Sequence, residues 1–278
     1  MMAISQVSAG FQGGQFQSSM PKRLVGLWRR LSIEENGERD VTTQVFWLQT
    51  TCGFADIRIP AERPSLASWA ALKPHQAIAL AKQDGFAGIT HLSCDNLGRN
   101  RCEWHHAMDY RPFNGHTDVG LLHWQDDILI EIAPDGRYKE EWQRVETGPT
   151  ATLTLTHEGR WKGWLVICGD YFIYMWDERK LLPAAKSLTS LISSSPTASN
   201  QYLNCEISFG RIQKGDHPWN IQLSTLPWRE GKSLWEGKCL ALLRGASRQV
   251  VQTANGQSLT WTVQEWEEHA LQTLERQS

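Results

Sequence analysis

Residues 102–144 read CEWHHAMDYRPFNGHTDVGLLHWQDDILIEIAPDGRYKEEWQR, and their alternation decides the fold class. Aromatic and β-branched runs are separated by turn signals such as Asp135-Gly136, the composition of antiparallel strands joined by short connections. Successive side chains on a strand point to opposite faces. In EWHHAMDY this puts Trp104, His106, Met108 and Tyr110 on one face and Glu103, His105 and Asp109 on the other. The first set is mostly apolar and is expected to line a barrel interior, so the adjacent histidines do not chelate one metal together. In RYKEEWQR the same parity gathers Tyr138, Glu140, Trp142 and Arg144 inside, with Arg137, Lys139, Glu141 and Gln143 outside. A carboxylate among aromatic rings must pair with a cation, here Arg144 or Arg58, or keep its proton.

Working outward, strands are expected near 24–34, 41–50, 53–59, 87–95, 101–110, 118–125, 127–132 and 137–145, enough for one antiparallel barrel of about eight strands. The Ala-rich spacing of 65–82 predicts a helix, kinked or split at Pro74. After Gly148-Pro149 the pattern restarts. Leu153 and Leu155 alternate with threonines, and further strands are expected near 161–168, 170–177, 201–213, 219–225, 239–243, 248–253 and 259–266, with a helix within 183–194 and a loop over 193–200. The chain is therefore read as mainly β: a disordered tail over 1–20, then two consecutive antiparallel barrels with short helices, 21–147 and 148–278.

Composition narrows the function classes. The chain has 278 residues, 41% hydrophobic and 21% charged, with a net charge of −2. Its interspersed signs offer no basic footprint for nucleic acid and no dense Lys/Arg run for an anionic membrane surface. No apolar stretch approaches the roughly 18–20 residues that cross a bilayer, and the N-terminus lacks the charged and apolar regions of a secretory signal, so a soluble cytoplasmic protein is expected. The six cysteines, from Cys52 to Cys239, include no C-x-x-C pair and read as buried free thiols. Gly231-Lys232-Ser233 ends like a phosphate loop, but Leu226 stands where the leading glycine belongs. Neither H-E-x-x-H nor G-x-S-x-G occurs. No cofactor is expected, and a metal site would require His106, His116 and His123 to converge from separate segments.

The candidate binding residues follow from the alternation and from the fourteen tryptophans. Trp47, Trp104, Tyr138 and Trp142 would supply stacking surface in the lumen, and Arg58, His106, Glu140 and Arg144 a polar end. Each has a plainer reading. His106 is then a core histidine, Glu140 half of an internal ion pair, Arg58 a surface partner of Asp56, and the tryptophans core filling.

Several segments carry a resemblance. They include VFWLQT with FADIRIP in 45–60, the aromatic-x-Glu-x-Trp-Gln run of Tyr138, Glu140, Trp142 and Gln143, WLVICGDYFIYMW at 164–176, ISFGR at 207–211 and NGQSLTWTVQEW at 255–266. In these the chain resembles the HRI family, lipocalin-like proteins first named for a fungal member that associates with a casein-kinase-type protein kinase, with relatives in bacteria. Gly26-x-Trp28 is also similar to the glycine-x-tryptophan that opens many lipocalin barrels. The resemblance implies two consecutive lipocalin-like β-barrels and brings no catalytic residues. The chain departs from the fungal pattern through much of 62–125, so kinase association is not transferred.

The expected function is non-catalytic binding of a small, partly hydrophobic or amphipathic ligand in a barrel lumen. An enzyme reading makes the same barrel a cofactor-independent isomerase, cyclase or hydratase with His106 and Glu140 as acid and base. A third reading is an interaction scaffold with filled barrels, its protein partner unknown.

Overall fold

The computed structural model describes residues 20–112, 117–213, 218–235, 240–242, 249–254 and 257–267. The tail over 1–19, His116, Cys239 and the Asn255-Gly256 turn lie outside the described residues. The first sheet is built from β1 (Gly26–Glu35), β2 (Glu38–Asp40), β3 (Gln44–Gln49), β4 (Phe54–Ile59), β5 (Asp84–Cys94), β6 (Asn100–Asp109), β7 (Asp118–Gln125), β8 (Ile128–Ile132) and β9 (Tyr138–Glu146). All but β2 form a closed antiparallel barrel of eight strands, because β9 returns to pair with β1 from Glu146 opposite Leu27 to Tyr138 opposite Glu35. The short β2 folds back on the end of β1 through Asn36 and Gly37, whose φ values of 53° and 81° suit a tight hairpin with positive φ at both central residues.

The second sheet holds β10 (Thr150–His157), β11 (Arg160–Cys168), β12 (Tyr171–Asp177), β13 (Cys205–Ile212), β14 (Trp219–Ser224), β15 (Leu240–Leu242), β16 (Gln249–Ala254) and β17 (Gln257–Trp266). Its order is β14-β13-β12-β11-β10-β17-β16-β15, antiparallel throughout, and no pairing joins β14 to β15 among the described residues. The free edge of β14 is covered by its own following segment. The Gly231 amide donates to the Ile221 carbonyl at 2.8 Å and the Leu234 amide to that of Trp219 at 2.8 Å, satisfying backbone groups that an open edge would expose.

The helices are shorter than the sequence predicts. Helix α1 (Pro74–Leu80) begins at Pro74 and is preceded only by a single 3-10 turn at Trp69–Ala71. Proline lacks an N–H and fits the first turn, where that donor has no partner anyway, so it starts the helix instead of kinking one. Helix α2 (Leu188–Ser194) starts at its Ser187 cap, which accepts from the Ser190 amide. Helix α3 (Ser199–Leu203) replaces the expected loop end and the expected start of β13.

Three apolar cores result. One fills the barrel lumen and includes Trp28, Trp47, Trp104 and Trp142. A second lies inside the other sheet around Phe172, Tyr174, Trp219 and Trp261. The third is the seam, where the outward face of β4 (Ala55, Ile57, Ile59) meets Val166, Ile173, Ile207 and their neighbours. This is why β4 is buried on both faces. Phe46 stacks on Phe209 across the seam with centroids 4.1 Å apart, and Arg179 reaches over to donate to the carbonyls of Tyr110 (2.5 Å) and Asp109 (2.6 Å). Each apolar side chain fully buried there contributes roughly 1.5–3 kcal/mol, so the two sheets share one core and not merely a linker. No helix among the described residues is long and apolar enough to cross a membrane.

Candidate functional site

The lower lumen of the barrel is filled. Trp47 stacks on Trp28 (5.9 Å) and meets Trp104 and Trp142 edge-on, each at 5.8 Å, the offset and T-shaped geometries that aromatic quadrupoles favour. Only about 10 Å³ remains open among these rings, room for about one water. Met20 and Leu24 join this cluster at the far end, where Trp28 donates its indole N–H to the Leu24 carbonyl at 2.9 Å.

Above the tryptophans lies a layer of buried charge. Arg30 donates to Glu140 at 2.7 Å and lies 3.6 Å from Asp40. Arg58 donates to Asp56 at 2.8 Å and approaches Glu140 at 3.9 Å. Burial pushes the Asp56 carboxyl up to about 6 despite the Arg58 guanidinium beside it. Glu131 is buried, accepts from the Tyr138 hydroxyl at 2.8 Å, and is raised well above the usual carboxylate range by burial and by the neighbouring Glu140. It has room because residue 120 is glycine: a Cβ there would lie 2.6 Å from the Glu131 side chain.

His106 is aimed by a β-bulge. On β6, Met108 pairs with Ala87 and His106 with Gly88, leaving Ala107 as the extra residue, and the inserted residue reverses the facing of everything after it. Trp104 and His106 point into the barrel, whereas Met108 and Tyr110 turn out into the seam. Asp109, expected outside, returns to the barrel mouth. Gly88 permits the bulge, since a Cβ there would collide with the His105 carbonyl oxygen. The His106 ring stacks on Phe86 (4.0 Å), with Nδ1 2.5 Å from Asp109 and Nε2 3.3 Å from Asp118. Burial alone would lower its pKa, but the two aspartates outweigh that and hold it up at about 9. A protonated imidazolium with both N–H groups engaged is a fixed cation, not a free base.

Over this layer opens a cavity of about 510 Å³ between the barrel mouth and α2. Arg58, Phe86, His106 and Asp118 lie on its barrel side, Pro112 and Arg111 on its wall, and Ser187 to Thr189 opposite. Arg58, Phe86 and Asp118 also border the small void below.

Of the eight residues expected to bind ligand, Arg58 and His106 face this cavity. Trp47, Trp104 and Trp142 fill the lumen beneath it. Tyr138 is tied to Glu131, and Glu140 is paired to Arg30 and borders neither cavity. Arg144 lies at the opposite end, over the rings of Trp28 (4.8 Å) and Trp124 (5.7 Å), with its guanidinium on the Arg23 carbonyl. The Glu140 partner is thus Arg30 and not Arg144, and the Asp56–Arg58 pair points inward. Parity on β1 could have found Arg30, because it shares the Trp28 face. Asp118 and Glu131 fall on lumen-facing positions of β7 and β8 and were legible by the same rule. The role of Asp109 was not, because it depends on the bulge. His123 is exposed on β7, and among the described residues no three His, Cys, Asp or Glu side chains are placed to hold a metal ion.

No family model and no curated protein matches the chain. Among solved structures it is similar to the uncharacterized protein YLR301w from Saccharomyces cerevisiae, with a TM-score of 0.53 and 12% identity over 87% of this chain and 98% of that one. At that identity the likeness shows a shared fold.

Proposed function

We propose that this is a lipocalin-like binding protein of the HRI family whose ligand, small and partly hydrophobic, sits at the mouth of the first barrel and not deep in its lumen. The observation that carries the reading is the cavity of about 510 Å³ floored by Phe86, His106 and Arg58, against about 10 Å³ left among the tryptophans. The cavity is lined mainly by polar and charged side chains, with Phe86, Pro112, Ala81 and Leu188 as its apolar part, so fixed polar groups would orient a ligand whose hydrophobic part rests on that patch. The floor is preorganised: Arg58 is held by Asp56, and His106 by two aspartates and the Phe86 ring. The fold that this reading needs is shared with a yeast chain over nearly the whole of that chain.

The enzyme reading has less support, because Glu140 does not open on a cavity shared with His106 and both His106 nitrogens are engaged. A filled lumen does favour the scaffold reading. Native mass spectrometry of protein purified from its own host separates the two. The binding reading expects a reproducible small-molecule mass addition that disappears in Thr189→Trp, a half-buried position where the larger ring would fill the cavity. An addition retained in that variant, or none in the unsubstituted protein, would leave the scaffold.

A further inference from the structure

We infer that the ligand of the barrel-mouth cavity carries an anionic head, a carboxylate or a phosphate, with its apolar part against Phe86 and Pro112. This rests on the binding reading above and adds the chemical class.

The charge inventory of the cavity is unbalanced. Its basic residues are Arg58, Lys82, Arg111, Arg137 and Lys186, joined by His106, and its acids are Asp84, Asp109 and Asp118. Arg58 is matched by Asp56 below, Arg111 by Asp84 at 3.1 Å, and His106 by one of its two aspartates. Lys82, Arg137 and Lys186 then face a single surplus aspartate. Arg137 lies over the Tyr138 ring at 5.8 Å, and its ion pair is an exposed contact with Asp135 at 4.0 Å. The buried layer beneath does not reverse the sign: Glu140 is matched by Arg30, and burial favours the neutral form of Glu131. Like charges gathered around one concavity raise the local concentration of the opposite ion.

Beneath the cavity the lumen is closed to a head group. Trp47 and Trp142 are 3% and 2% exposed, border the void under Arg58, and have indole N–H groups with no acceptor among the described residues. Arg58 borders both the void and the cavity. That void also borders Asp56, Asp118 and Glu131 and has room for about one water, so an anionic head stays above it and is met by Arg58 and the surplus cations of the rim.

Four probes with one tail separate the possibilities: hexanoate, hexyl phosphate, hexanamide and hexylamine, titrated calorimetrically into the full chain at low salt. We expect hexanoate or hexyl phosphate to bind, weakening as salt rises, and hexylamine not to. The tighter of the two anions names the head group. Lys82→Glu/Lys186→Glu, two exposed positions that no fold contact requires, should weaken anion binding by about tenfold or more, and Thr189→Trp should abolish it. Hexanamide or hexylamine binding as tightly as the tighter anion overturns the anionic assignment while leaving a ligand site at the mouth. So does failure of all four probes when a Thr189→Trp-sensitive mass addition is present. Failure of the probes with no such addition overturns the binding reading itself.

Discussion

The interiors of the two sheets are filled with the same residue type and differ in charge. In the second sheet Tyr174, Trp219, Trp235 and Trp261 pack at centroid distances of 5.2–6.1 Å, and Trp261 spends its N–H on Gln252 at 2.9 Å. The barrel has a comparable tryptophan layer, yet four of the five buried charged residues described, Arg30, Asp56, Glu131 and Glu140, sit above it. The fifth, Arg179, belongs to the seam. Buried charge costs stability unless paired, and apolar filling does not. The barrel keeps four such groups under an open cavity, and none of the buried charged residues described lies inside the second sheet, which is why the proposed ligand site is placed at the barrel mouth.

The largest expected effects come from breaking each interior in its own way. Trp261→Ala should cost roughly 3–5 kcal/mol by leaving a cavity, and Arg30→Met a similar amount by leaving the buried Glu140 with only the longer Arg58 contact at 3.9 Å. The two differ in rescue. Arg30→Met/Glu140→Met should regain most of the loss in urea denaturation. If Arg30→Met costs no more than an exposed ion pair does, the charged layer is not structural and the contrast with the second sheet fails.

A step smaller is the pH dependence. His106 is held up at about 9 against an ordinary 6.5. Its protonated form is favoured in the folded chain, so its contribution is complete below 6.5 and lost as pH rises through 9. The difference corresponds to on the order of 3 kcal/mol. His106→Asn should flatten the fall in stability between those limits, whereas Trp261→Phe in the second sheet should lower the whole curve and keep its slope. An unchanged slope in His106→Asn would mean that the Asp109–His106–Asp118 bridge does not hold the proton.

Smallest is the steric test of the charged layer. Gly120→Ala should cost about 1–3 kcal/mol by crowding Glu131, and combining it with Glu131→Ala should remove most of that cost. Additive losses in thermal melts would place Glu131 clear of residue 120.

Legibility in the sequence followed the range of the interactions. All eight barrel strands were readable because alternation and turn chemistry are local, and β4 through β9 fall within a few residues of expectation. Helix lengths were less so: Ala content suggested 65–82, but Pro74 fixes the start of α1 and the residues before it pack as extended chain and one turn. On β6 the lumen residues were assigned correctly as far as His106 and wrongly for Met108 and Tyr110, which turn out into the seam. A single extra residue on β6 reverses parity, and its cause is the close approach of Gly88 to the His105 carbonyl, a contact between strands.

By itself the sequence determined that the chain is mainly β, that its strands run antiparallel in order, and that tryptophans dominate the barrel interior. Those properties follow from side-chain period and volume, which each segment carries alone. Tertiary structure decided that β9 closes on β1, that both faces of β4 are buried, that Glu140 belongs to Arg30, and that the open space lies at the mouth. These depend on which distant side chains occupy the same volume, and strand parity specifies a direction for each residue but not what it meets there.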